Sequence, residues 1–428
     1  MMQIKRRVLG LVRGALLKVM PAQTIDLSRL DKVPESMGWP LKRDGFDPTP
    51  RIAETRTTEP VHHLTSLMGM GIWLVTGIDE GRAVLQDTSY STDIRPYVGA
   101  RGAADGDIGG LGFTDPPDHT RLRKLITPEF TMRRLARIQP MIDAIIERQL
   151  DEIAAAGANG EVVDLVPTFG FPVPFLVICE LLGLPDRDRQ TFMDLGSARF
   201  DVTQGGTGSL GAISESREFL KEATRKQRLD PGPGLIGQII RDHGDEISDY
   251  DLAGLADGVF NGGMETSASM LAMGTAVLLG DRKSWDRIRT DEASVDPIVE
   301  ELLRYLSVVQ VAFPRFAKQD ALVGDKQVRK GDVVLVSLPG VNRDPAFGDA
   351  PDSFDPDRVP DRSHLAFGHG LHRCVGAELA RMELRAAFPK LAQRFPDMEL
   401  VTSGVDDYGF RESSIVYGVE SVPVRITR

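Results

Sequence analysis

Apolar residues recur along most of this chain at the three- and four-residue spacing that lines one face of an α-helix. The pattern is clear over residues 133–156 and 171–184, and again after Cys374, where residues 377–386 read as a strong helix. The longest such run begins at Ser248, which with Asp251 makes an N-terminal signal, and it stops at Gly280. At about 1.5 Å per residue this run spans about 46 Å, enough to cross a compact body of this size. Alternation of period two is confined to short stretches. Residues 61–66 and 71–76 predict a small hairpin-like sheet, 327–336 a turn and a strand, and 413–425 a terminal hairpin.

Three segments lack any period: 47–59, rich in Pro and Thr; 93–112, rich in Gly and Asp; and 197–210. All three read as loops, the second as a mobile functional loop and the third as a lid over a buried pocket. Pro389 predicts a kink, rather than an end, in the helix after Cys374. No repeat or linker divides the chain. A basic N-terminal arm and lead-in over 1–44 and one catalytic domain over 45–428 are expected.

Hydrophobic residues make up 41% and charged residues 26% of the 428, ordinary globular usage. A net charge of −11 argues against nucleic acid as partner. No run of about 20 apolar residues predicts a membrane span. Residues 1–20 carry Lys5, Arg6, Arg7, Arg13 and Lys18 with no acid, so weak contact of an amphipathic arm with anionic lipid is possible. Arg13 interrupts any signal-peptide core. Two cysteines give no disulfide framework, which fits a reducing cytoplasm, and the expected state is a cytoplasmic monomer.

Cys179 lies in an apolar helical run and reads as core. Cys374 lies in Phe367-Gly-His-Gly-Leu-His-Arg-Cys-Val-Gly376. Its glycines, Gly368, Gly370 and Gly376, free the backbone for tight turns against a bulky partner and are not expected to serve packing. The following helix puts the sulfur at its N-terminus, where the dipole favours a thiolate ligand. A buried structural cysteine explains neither the glycines nor Arg373. A zinc site from His364, His369, His372 and Cys374 lacks the usual ligand spacings. A haem thiolate is the third reading.

Gly262 and Gly263 sit side by side in the longest helical run, each costing about 1 kcal/mol against alanine. Glu265 and Thr266 follow. From the residues alone, this is either close helix packing with the threonine bonded back to a carbonyl, or a groove opened for oxygen beside an acid and an alcohol. His119 and Arg123, at i and i+4, follow the helix start Thr114-Asp-Pro-Pro-Asp118. Glu301 and Arg304, at i and i+3, precede Arg315 and Arg358; alone, such pairs are common on helix surfaces.

Taken together these stretches resemble the cytochrome P450 family. Residues 367–376 resemble its haem-binding signature with every fixed position filled, 262–267 its oxygen-binding helix, 115–123 its C-helix, and Glu301, Arg304 and Arg358 its buried charge cluster, in family order across 45–425. The resemblance implies a mainly α fold with a smaller β region: a single triangular domain holding haem b between the central helix and the Cys-ligand helix. It implies Cys374 as the iron ligand; His119, Arg123, Arg315 and His372 on the haem propionates; and Phe367, Gly368, Gly376, Gly262 and Gly263 around the porphyrin. Glu265 and Thr266 would be catalytic, passing protons toward bound dioxygen. The implied activity is a monooxygenase inserting one oxygen atom from O2 into a hydrophobic small molecule, whether fatty acid, terpenoid, steroid or polyketide. Electrons would come ultimately from NAD(P)H through a reductase and an external ferredoxin, docked on Arg373, Arg381 and Lys124. The pocket would be lined by 94–111, Val259, Phe260, 308–313, Ile415 and Val416. A haem-thiolate sensor or carrier without turnover is the alternative, and it has no need of Glu265 and Thr266.

Overall fold

The computed structural model describes residues 35–67, 69–94, 96, 111–200, 206–402, 404–411 and 414–426. The basic arm at 1–20 and nearly all of the 93–112 loop lie outside these residues.

One helix, Asp249–Gly280, runs 32 residues, and the Ser248 hydroxyl accepts the Asp251 amide at 3.0 Å, the N-cap that the sequence signals. It is apolar around most of its circumference, which is what a helix buried on all sides requires. Helices Pro172–Leu182, Gly206–Leu229, Val295–Leu306 and Ala377–Arg394 pack around it and share one hydrophobic core. Contact with Ala377–Arg394 is close because position 274 has no side chain: a Cβ on Gly274 would lie 2.6 Å from the Phe388 ring.

The β region is small. Val61–Leu67 and Met70–Val75 form the predicted hairpin, with a register shift between His63 and Thr65. Met70–Val75 pairs in parallel with Val333–Val336, and Arg315–Ala317 and Tyr90–Ser91 complete a five-stranded sheet. The predicted terminal hairpin is corrected. Phe410 bridges Val419, Val416 bridges Val309, and Pro423–Arg425 lies between Glu399–Leu400 and Val162–Asp164. A period-two pattern marks a strand but does not name its partner.

Two loop expectations are also corrected. Within 47–59, Pro50–Thr58 is a helix: Pro50 occupies the first turn, where a missing N–H costs nothing, and Thr55, Thr57 and Thr58 donate back to carbonyls one turn earlier. Within 197–210, helix Asp186–Phe200 runs on to its end and Gly206–Leu229 begins, so the proposed lid is mostly helical. Packing between long helices outweighs the poor propensity of their glycines. The 133–156 pattern divides into Met132–Leu135 and Gln139–Ala156, while Ala377–Arg394 continues through Pro389. Among the described residues no helix is long and apolar enough to cross a membrane.

Candidate active site

The Cys374 loop is a folded turn pinned at several points. The Cys374 amide donates to the Phe367 carbonyl at 2.9 Å, Gly368 to Leu365 at 2.8 Å and Arg373 to Gly370 at 3.1 Å. Gly368 and Gly370 hold φ of 68° and 70°, a region that L side chains rarely enter. Gly370 also serves packing, contrary to expectation: a Cβ there would lie 2.6 Å from the Leu85 carbonyl oxygen, at the end of helix Ile78–Gln86.

Cys374 retains accessible surface, whereas Cys179 is buried in the core as expected. Desolvation by the neighbouring protein pushes the Cys374 thiol up. The Gly376 amide, Arg123, Arg373 and Arg381 pull the other way without overcoming it. These positive groups favour the anionic form of the sulfur that a metal would take.

His119 is fully buried, and neither ring nitrogen has a partner. The ring of His372 lies 4.4 Å away, centroid to centroid, with its Nδ1 also unpartnered and Nε2 3.4 Å from the Thr92 hydroxyl. Burial, then Arg315 and His119, drives His372 down to about 4. Burial and Arg123 lower His119, and burial brings Arg315 down to about 10. Arg315 donates to the Phe313 carbonyl at 2.8 Å. Unmet buried donors beside two guanidiniums suit an anion, so these four residues fit the propionates of a haem.

Gly262 and Gly263 have different surroundings. No atom comes within 4 Å of a Cβ placed on Gly262, whereas one on Gly263 would lie 3.0 Å from Ile178. The first keeps space open and the second admits helix Pro172–Leu182. Thr266 donates to the Gly262 carbonyl at 2.7 Å. Glu265 turns elsewhere: Arg411 Nη1 donates to its carboxylate at 3.1 Å. Arg411 had no sequence signal, being a lone arginine 146 residues away.

Glu301 and Arg304 are a buried bidentate pair, with both bonds 2.7 Å, rather than a helix-surface contact. Arg304 also donates to the carbonyls of Asn342, Pro351 and Ser353, and Arg358 joins Glu301 at 3.3 Å. With every donor answered, such a cluster is rigid.

Other expectations are revised. Arg381 is engaged by Glu300 at 2.6 and 3.0 Å and by Glu378 at 2.8 Å, and it stacks 4.7 Å over the Phe367 ring. It is not free for a partner, whereas Arg373 and Lys124 are exposed. Phe260 packs into the core against Phe192 at 4.2 Å instead of lining a pocket, and Gln310 is buried and bonded to the Leu41 and Ser414 carbonyls. Val259, Phe313 and Ile415 keep open surface. His364 bonds Glu300, and among the described residues no three His, Cys, Asp or Glu side chains cluster as a metal site, which disfavours zinc.

Cytochrome P450 165B3 of Amycolatopsis orientalis is 34% identical to this chain over 391 residues, covering 90% of this chain and 97% of the relative. This chain belongs to the cytochrome P450 family. The family model "Cytochrome P450" matches residues 292–401 of this P450, a span holding both Glu301 and Cys374. The 6-deoxyerythronolide B hydroxylase of Saccharopolyspora erythraea is 34% identical over 390 residues, 87% of this chain and 95% of its own. Among solved structures, P450 StaH from glycopeptide antibiotic A47934 biosynthesis matches with a TM-score of 0.79 at 36% identity, covering 90% of this chain and 99% of StaH. The complex of the X-domain and OxyB from teicoplanin biosynthesis matches at 0.81 and 35%, with the same coverage. The mainly α architecture with a small β region is thus the P450 fold, and the protein is a P450 monooxygenase that works with haem iron and dioxygen.

Proposed function

We propose that this P450 hydroxylates or epoxidises a hydrophobic small molecule of polyketide type, with electrons delivered by a ferredoxin and drawn from NAD(P)H. The observation that carries the haem assignment is the buried His119, with both ring nitrogens unmet, against the His372 ring with its Nδ1 unmet and beside Arg315, in a chain that also presents Cys374. Haem b, when bound, supplies the activation of dioxygen. Cys374 would be its protein ligand, with Phe367, Gly368 and Gly376 shaping the loop around the sulfur. His119, Arg123, Arg315 and His372 would hold the propionates by charge-assisted bonds. Gly262 leaves room on the central helix, while Gly263 seats the helix behind it.

On that side Thr266 would present its hydroxyl, held against the Gly262 carbonyl, and Glu265 would bring protons inward. The preference for a polyketide rests on relatives such as the deoxyerythronolide hydroxylase and on the apolar open residues Val259, Phe313 and Ile415. Arg373 and Lys124 are the exposed cations near the Cys374 loop offered to an acidic redox partner.

The test is turnover under 18O2 with a ferredoxin, its reductase, NADPH and a panel of macrolactones and fatty acids. One labelled oxygen in a macrolactone product is expected. Haem uptake and ligand binding without label in any product would favour the sensor or carrier reading.

A further inference from the structure

A partly open recess of about 70 Å³ lies beside Glu265, walled by Val166, Phe171, Met264 and Ala268 and edged by Glu265, Ser269 and Arg411. It is large enough to admit water, and three polar groups face it. Arg411 reaches this space from the C-terminal segment. Its Nη1 donates to Glu265 at 3.1 Å and its Nη2 to the Ser269 hydroxyl at 2.9 Å, while its buried Nε has no protein partner. The turn that carries Arg411 is shaped for this reach. The Arg411 amide donates to the Gly418 carbonyl at 2.9 Å, and a Cβ on Gly418 would lie 2.2 Å from Arg411 Nη2 and 2.5 Å from Ser269 Oγ. Glycine at 418 is what permits the clamp. Glu265 and Thr266 are neighbours on a helix, so their side chains leave it about 100° apart, and the Thr266 hydroxyl is spent on Gly262.

We propose that Arg411 is a positioning residue which holds the Glu265 carboxylate charged and turned to a water-filled cavity, making that cavity the side from which Glu265 takes up protons. This rests on the reading of Glu265 as proton carrier. The proton comes from solvent through the cavity water, which takes up one proton as it passes another to the carboxylate, so no hydroxide is left behind; no oxidant or reductant enters the step. Burial raises Glu265 and Arg411 opposes it, so removing the guanidinium pushes this carboxyl further up.

Infrared spectra of Arg411→Gln at neutral pH should show a protonated-carboxyl band that is absent from the wild type and lost again in the Arg411→Gln/Glu265→Gln double variant. In turnover, Arg411→Gln should lower product formed per NADPH by ~10-fold or more, with the lost electrons appearing as hydrogen peroxide and KM little changed. Arg411→Lys, which keeps the charge, should restore most of the coupling and guards against misfolding of the glutamine variant. No new carboxyl band, or wild-type coupling in Arg411→Gln while Glu265→Gln uncouples, would overturn the role of Arg411 and leave Glu265 as carrier. Full coupling in Glu265→Gln would instead overturn the carrier reading, and this proposal with it.

Discussion

The side-chain oxygen of Asn342 accepts the backbone N–H of Leu365 at 2.7 Å. The same residue gives its carbonyl to Arg304 at 2.8 Å and its side-chain N–H to the Ser307 hydroxyl at 2.7 Å. Leu365 in turn accepts the Gly368 amide, so one buried asparagine joins the Glu301–Arg304 cluster to the start of the Cys374 loop.

Asn342→Ala should therefore weaken the loop and the fold together. It strands the Leu365 N–H in the interior, at a cost of about 1–3 kcal/mol, while the Ser307 hydroxyl keeps its bond to the Arg304 carbonyl at 2.9 Å. Glu301→Gln should cost more, about 3–5 kcal/mol, because it leaves Arg304 and Arg358 charged and buried without their anion. Thermal unfolding measures both costs, and haem retention on gel filtration reports the state of the loop. A wild-type Tm in Glu301→Gln would contradict the cluster's role.

Cys374→Ser should abolish the thiolate signature of the reduced carbonyl complex without disturbing helix Ala377–Arg394, since residue 374 lies before that helix begins. Far-ultraviolet circular dichroism close to wild type, together with the lost spectrum, is the expected pair of results. An unchanged carbonyl spectrum would remove position 374 from the iron.

Gly370→Ala should be far more damaging than Gly262→Ala. The first puts a methyl 2.6 Å from the Leu85 carbonyl at a φ of 70°; the second puts one into open space. We expect a Tm drop and poor haem loading for Gly370→Ala. Gly262→Ala should keep or gain helix stability while changing which ligands shift the haem spectrum. Equal Tm values in the two variants would contradict this assignment of the glycines.

Glu383 offers a pH test. It lies buried between the Cys-ligand helix and the central helix, bonded to Ser267 with its Oε2 unpartnered, and burial raises its carboxyl to about 8. The folded protein therefore keeps a proton that the unfolded chain has released above its ordinary value. Stability from this group is full below about pH 4.5, falls as pH rises toward about 8 and is gone above it. Glu383→Gln removes that slope, so its Tm advantage over wild type should widen between about pH 5 and about pH 9. Parallel Tm curves for the two proteins would show that Glu383 titrates normally.

Much of the architecture was legible along the chain because it depends on near neighbours. The Ser248 cap, the run to Gly280, the first hairpin and the Cys374 turn each follow from spacing, capping or backbone freedom within a few residues. Burial and partnership do not work that way. Ser413–Arg425 looked like a hairpin because its alternation is real, yet its strands found cover on Val162–Asp164 and Val309, which no local rule names. Arg381 looked like a docking cation until Glu300, from another helix, closed over it. The Glu301–Arg304 pair gained its weight from being enclosed, and Glu265 acquired Arg411 only when the C-terminal turn met the central helix. Propensity and capping act between residues a turn apart, so the chain alone settles where elements begin and end. Which charge meets which is settled when their surfaces pack and water leaves, and that happens only in the folded molecule.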